Sequence, residues 1–287
     1  GEQLLEWLDN YTFPTEAGFS DHDMAESTAE FFLQELLKNG TTTAAVYGSV
    51  HASAADAFFK VSYRHNTRMI MGKSMMDRNT PDSLTETTEQ SLRDTHDLIS
   101  YWHNNGRQLY AATLRFVVTS TAQQMDDIRS LMNDYPDLYM QTHLAENTSE
   151  LALVKSLFPD SLDYVDVFDQ HGLLGPRSIF GHGIHLSERE LQRLQDTCSR
   201  IAFCPTSNLF LGSGLYQLDK PGYDIATGIA TDVGAGTSFS MLQTLHEAYK
   251  VCQLNGTNLS PQRAFYMATL GNAKALNLES KIGNFTA

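Results

Sequence analysis

The sequence predicts an α/β fold of the TIM (β/α)8 type. Three observations lead there: strand-like and helix-like segments alternate, the strand segments are apolar without clear in–out alternation, and 287 residues suffice for one such domain. Apolar strands that are each followed by a helix belong to a parallel sheet covered on both faces.

A first helix is read over residues 21–40, "DHDMAESTAEFFLQELLKNG", with Gly40 as its stop. "TTTAAVYGSV" then reads as a strand and "ASAADAFFKVSYRH" as a helix. "RMIMGKSMM" is a strand, followed by a long helix over residues 84–104. "RQLYAATLRF" and "TAQQMDDIRSLMNDY" form the next strand and helix. "LYMQTHLA" precedes the helix "NTSELALVKSLF", where Asn147 with Glu150 three residues on resembles a capping box. "SIFGHGIHL" and the helix "SERELQRLQDTC" follow, then "RIAFCPTS", then "DIATGIATDVG" before a helix starting near Phe239.

That makes seven strands, which an open doubly wound sheet could contain, whereas a closed barrel requires eight. No repeat, low-complexity stretch or Pro-rich linker interrupts the chain, so residues 1–287 read as one domain.

Composition narrows the function. Twenty basic residues against 34 acidic ones give a net charge of −14, which repels phosphate backbones and argues against nucleic acid as a partner. Small neutral or cationic ligands stay open. The three cysteines, Cys198, Cys204 and Cys252, lack zinc-finger spacing, and their odd number argues against a disulfide framework. Cys204 sits in an apolar run and reads as a buried thiol. With no leader-like segment and no apolar run of about 18 residues, a soluble, cytoplasmic protein without membrane association is expected.

In barrels of this kind the chemistry sits at the C-terminal ends of the strands. Arg115 and Phe116 end one strand, and His143 ends the next with Glu146 in the following turn. His182 and His185 lie near the end of "IFGHGIHL", Asp232 ends "GIATDV", and His51, Asp77 and Arg78 share the same rim. Positions 143 and 146 differ by an odd number, so only a chain that turns after His143 can bring both side chains into one cavity. One His, a second His one strand on and an Asp two strands later form a plausible set for a single divalent metal, and imidazole with carboxylate suits zinc. Zinc lowers the pKa of bound water to roughly 7. Glu146, not needed as a ligand, is then placed to shuttle protons. A lone strand-end His is more often a packed or surface residue. His185, at odd spacing from His182, is expected to point elsewhere, and His51, Asp77 and Arg78 read first as ordinary rim residues. "GAGTS" after Asp232 is a weak glycine signal that a tight turn explains without phosphate binding.

These residues resemble the metal-dependent amidohydrolase superfamily and, within it, the guanine deaminases. "LLEWLDNYTFPTE", "NGTTTA", "MMDRN", "LRFVVTS", "QTHLAEN", "FGHGIHL", "FCPTSNLFLGSG", "TDVGAGTSFSMLQTL", "ATLGNAKAL" and "IGNF" carry the likeness through nearly the whole chain. The first and the "CPTSNLFLGSG" segment are its specific marks. The resemblance implies a (β/α)8 barrel holding one Zn2+, preferred over Fe2+, that hydrolyses guanine to xanthine and ammonia. It implies His143 and Asp232 as metal ligands and His182 near the metal as a further candidate ligand. Glu146, His182 and Asp232 would be the catalytic groups. Arg115 and Phe116 would bind the purine, with His143, Leu144, Ala145, Glu146 and Asp232 lining the substrate. A homodimer is expected only because such relatives often form one.

Two departures accompany the likeness. Leu114 stands where a Pro is expected before the purine-binding Arg, and "VVTS" replaces a "PTS"-like turn. The superfamily's first strand carries an H-x-H pair of metal ligands, and no H-x-H occurs in these residues. The expectation is therefore a barrel that begins just downstream of that strand, with two further His ligands upstream of Gly1, and that stops before a small β-sandwich segment. By itself such a chain is expected to be metal-depleted or inactive. The competing readings are an amidohydrolase acting on another aminopurine, a pterin or a triazine, and a non-catalytic relative.

Overall fold

The computed structural model describes residues 4–285. The first three residues of "GEQLLEWL" and the two that close "IGNFTA" lie outside them. Contacts divide the chain into two compact units. One holds Leu5–Thr142 with Gln170–Leu173; the other holds His143–Asp169, the described part of Leu174–Ala287, and Leu4.

In the first unit, strand β1 (Thr43–Tyr47) pairs in parallel with β2 (Arg68–Gly72), in a register running from Thr43↔Arg68 to Tyr47↔Gly72. The two-residue β3 (Ser74–Met75) and β4 (Leu109–Leu114) follow. Both β2 and β3 lie parallel to β4, which in turn pairs with β5 (Tyr139–Leu144) from Ala111↔Tyr139 to Thr113↔Gln141. Every residue of β4 is buried, as expected for a strand covered on both faces. The helix His22–Lys38 starts where Asp21 accepts the Met24 amide at 2.9 Å, and the chain leaves it through Gly40 at φ +80°. Phe59, on the helix Ala52–Arg64, stacks on Trp102 at 5.4 Å and Tyr110 at 6.0 Å, which anchors the helical layer to the sheet.

The segment expected as one strand, "RMIMGKSMM", is divided at Lys73 into β2 and β3. Here the backbones approach so closely that a Cβ on Gly72 would overlap the Ala111 carbonyl oxygen. The Lys73 amide leaves the ladder to donate to the Tyr110 hydroxyl at 3.2 Å. The Lys73 ammonium is fully buried and meets the Glu86 carboxylate at 2.5 Å and the Ser91 hydroxyl at 3.3 Å.

In the second unit, β6 (Ser178–His182), β7 (Arg200–Phe203) and β8 (Thr227–Ile229) run parallel in that order. Asn147 and Ser187 each close a full capping box, with Glu150 and Glu190, at the heads of the helices Thr148–Leu157 and Glu188–Asp196. "RIAFCPTS" does not continue as a strand: Pro205 begins the helix Pro205–Phe210, because its fixed φ and missing N–H suit a first helical turn. The short helix Tyr164–Gln170 and the helices Pro261–Tyr266 and Asn272–Ala275 were not anticipated from hydrophobic periodicity; each spans two turns or fewer. Among the described residues no helix is long and apolar enough to cross a membrane.

Candidate active site

The second unit gathers His143, Glu146, His182 and Asp232. His143 is the penultimate residue of β5, and the chain then reverses through Ala145 at φ +47°. A non-glycine residue in the left-handed region costs on the order of 1–3 kcal/mol and persists only where its surroundings hold it. Here they do: the Ala145 carbonyl accepts from the amides of Ile184 and His185 at 3.2 and 3.1 Å, and Leu144 accepts from Gly183 at 2.9 Å. Glu150 locks the other side, its Oε2 accepting from the amides of Glu146 and Asn147 at 2.9 and 3.1 Å and its Oε1 from the Tyr164 hydroxyl at 2.7 Å. The turn needed to bring His143 and Glu146 to one side is thus a built feature.

His182 ends β6 and is also left-handed, at φ +69°. Its Nδ1 donates to the Asn208 amide oxygen at 2.8 Å, which turns Nε2 toward Glu146 Oε2, 3.4 Å away. The His143 and His182 rings lie nearly parallel with centroids 5.4 Å apart. Asp232 follows β8 at φ +49°, and its carbonyl accepts the Gly236 amide in a turn so tight that a Cβ on Gly236 would overlap Thr231 O. The glycines of "GAGTS" therefore serve a turn that presents Asp232. One ligand atom each from His143, His182 and Asp232 lies within 4.8 Å of the others. Two imidazoles and a carboxylate converging in this way fit one divalent ion of the zinc type.

Electrostatics single out Glu146. Burial pushes its carboxyl up, the Asp232 charge adds to that, and His182 and Ser213 partly oppose it. For His182 burial acts downward, but the Glu146 and Asp232 carboxylates outweigh it and the net shift is upward. The Ser213 hydroxyl donates to Glu146 Oε1 at 2.9 Å, leaving Oε2 toward His182. The Cys204 thiol is buried and pushed well up by that burial, so it stays protonated and is a packing group. His185 turns away, its Nε2 bonded to the Ser213 carbonyl at 2.8 Å.

Ser213, Asn208 and Tyr164 carry this geometry and have no role readable from sequence, while Glu150, read there as a helix cap only, also locks the turn. Ser213 and Asn208 lie in "CPTSNLFLGSG", singled out only as a family mark. Their partners are 67 and 26 residues away, a separation that local pattern does not reveal. The same short helix buries Thr206 Oγ1, Ser207 Oγ and Asn208 Nδ2 without hydrogen-bond partners among the described residues.

Glu150 gives a pH prediction. Burial first, then the Glu146 charge, raises its carboxyl from 4.5 to about 7, against the Tyr164 and amide hydrogen bonds. The folded chain holds this proton more tightly than the unfolded one, so the stabilisation is full below pH 4.5 and is lost as pH rises through about 7. Glu150→Gln is neutral at every pH. Relative to it, the unsubstituted protein is expected to lose up to about 3 kcal/mol of stability from pH 4.5 to 7.5, at about 1.4 kcal/mol per unit. Denaturation curves of both proteins across that range check this, and a constant difference would show that Glu150 ionises normally.

The first unit holds Arg115 and Phe116, just beyond β4. Arg115 is nearly buried, and its Nη1 donates to both oxygens of Glu16 at 2.6 and 2.8 Å while its guanidinium lies 5.4 Å from the Phe13 ring centre. The "VVTS" stretch forms the 3-10 turn Val117–Thr119. "MMDRN" braces it: Arg78 Nη2 and Asn79 Nδ2 each donate at 2.8 Å, to the carbonyls of Val117 and Val118. Asp77 accepts from the Thr121 amide and hydroxyl at 2.8 and 2.6 Å. Asp77 and Arg78 thus hold the loop behind Arg115. His51 precedes the helix Ala52–Arg64, with its Nε2 buried and unpartnered among the described residues.

The amidohydrolase family model matches residues 1–287. The chain belongs to the amidohydrolase family. Its fold class is accordingly the α/β, TIM-type one that the strand–helix alternation predicts. Among curated members it is 54% identical to the guanine deaminase of Escherichia coli over 99% of its own length and 65% of that protein's. The chain thus spans just under two thirds of that relative. The solved E. coli guanine deaminase superposes with a TM-score of 0.98, covering all of this chain and 66% of that one. A guanine deaminase from C. acetobutylicum with guanine bound in its active site matches at 34% identity and a TM-score of 0.93, over 99% of this chain and 70% of that one. A triazine hydrolase variant at 20% identity, TM-score 0.90, shares the fold.

Proposed function

We propose that this amidohydrolase is a guanine deaminase, converting guanine and water to xanthine and ammonia. The observation that most supports this is Glu146: a buried carboxyl, raised by burial, 3.4 Å from His182 and beside the convergent His143, His182 and Asp232. These three residues would hold a divalent ion, zinc in our reading, and such an ion supplies a nucleophile near pH 7 by acidifying water. Two further His ligands outside residues 1–287 would complete the set. Residues 1–287 would act as one barrel domain, in a cytoplasmic protein that forms a homodimer.

The chain's own groups then divide the proton work. Glu146 takes a proton from the attacking water and delivers it to N3 of guanine as oxygen bonds to C2. His182 and Asp232 orient that water, and the Asp232 carboxylate passes its second proton to the exocyclic amine. The C2–N bond breaks, ammonia leaves, and C2 keeps the oxygen as the carbonyl of xanthine. The Leu144–Ala145 turn forms the wall beside the base. Arg115, a fixed cation with several donors, would address O6, with Phe116 behind it.

The test is turnover by the zinc-loaded protein expressed from its complete gene. Guanine is expected to yield xanthine and ammonia in equal amounts. Hydrolysis of a different aminopurine, a pterin or a triazine with guanine untouched would move the substrate assignment. Inertness toward all of them, with zinc bound, would favour a non-catalytic relative.

A further inference from the structure

We infer that Glu16, with Phe13, is a positioning residue that sets Arg115 for recognition of a neutral heterocycle; this rests on the reading of Arg115 as the purine-binding arm. Phe13 and Glu16 lie three apart on the short helix Phe13–Ala17, whose first turn carries Pro14. That spacing puts both side chains on one face. The face meets a single group: the Glu16 carboxylate takes Arg115 Nη1 with both oxygens, at 2.6 and 2.8 Å, and Phe13 flanks the guanidinium at 5.4 Å. Both partners are largely withdrawn from water, with side-chain exposures of 10% and 16%.

Two consequences follow. An arginine side chain loses rotamer freedom whenever it engages a ligand, and one already held by a carboxylate and an aromatic ring has lost it beforehand. The ion pair also has no net charge, so the arm offers directional N–H donors without the attraction for anions that an unpaired guanidinium exerts. That suits a carbonyl acceptor on an uncharged base. The segment "YTFPTE" thereby has a physical task, carried by Glu16, which stands 99 residues before the arginine it serves.

The experiment compares guanine with 2-aminopurine, which has the same reacting amine and no O6, on the zinc-loaded enzyme from the complete gene. Loss of a charge-assisted contact at this arm is expected to lower kcat/KM for guanine by about 10- to 100-fold. In Glu16→Ala and Glu16→Gln this loss should fall mainly on KM. Turnover of 2-aminopurine should stay within about threefold, since it makes no contact that the arm would strengthen. Arg115→Ala should show the same guanine-specific loss. Equal losses on both substrates, or no loss in either Glu16 variant beside a guanine-specific loss in Arg115→Ala, would overturn the positioning role. Undiminished guanine preference in Arg115→Ala would instead overturn the reading of Arg115 itself. The 2-aminopurine rate controls for folding, and Glu16→Gln preserves the side-chain volume should Glu16→Ala not fold.

Discussion

Glu146→Gln is expected to lower guanine turnover by about 10²- to 10⁴-fold, the usual worth of a positioned general acid–base, while bound zinc stays at the level of the unsubstituted protein. Glutamine has the same size and can still accept from Ser213, which lies 2.9 Å from Oε1. It cannot receive a proton from water and release it to a ring nitrogen. The proposed metal-site residues are His143, His182 and Asp232, whose ligand atoms lie within 4.8 Å of one another, so removing the Glu146 charge leaves all three in place. Kinetics with metal analysis of the same preparation separates the possibilities. A near-normal kcat would place the proton shuttle elsewhere, and loss of zinc would make Glu146 a ligand.

Lys73→Ala is expected to destabilise the protein by about 3–5 kcal/mol, because it leaves the Glu86 carboxylate without its buried partner. The two meet at 2.5 Å with side-chain exposures of 0% and 13%. Burial drives the Lys73 ammonium down and the Glu86 carboxyl up, and their mutual attraction opposes both. Removing one partner strips that compensation from the other. The double substitution Lys73→Met with Glu86→Leu removes both charges and keeps apolar volume, so it should recover most of the loss. Chemical denaturation of the three proteins decides it. A single variant within about 1 kcal/mol of the parent would mean that Glu86 finds water or another donor.

Strand–helix alternation was legible because apolar runs and 3.6-residue periodicity are local properties. The cap at Asn147 was legible for the same reason: Asn147 and Glu150 sit three residues apart in both sequence and structure. The break at Lys73 was not, since it depends on the Ala111 carbonyl crowding Gly72 from another strand.

By itself the sequence determined the order of strands and helices, and it placed His143, His182 and Asp232 at three separate strand ends, because strand ends are where chain direction and side-chain chemistry are both visible locally. Only the tertiary structure decided how those residues point. All three of Ala145, His182 and Asp232 adopt left-handed backbone: Ala145 is held there by the amides of Ile184 and His185 from another strand end, His182 sits beside its bond to Asn208, and Asp232 lies in the tight turn closed by the Gly236 amide. The tasks of Ser213, Asn208 and Glu16 belong to the same class: each acts on a partner 26 to 99 residues away, and that separation closes only when the chain folds.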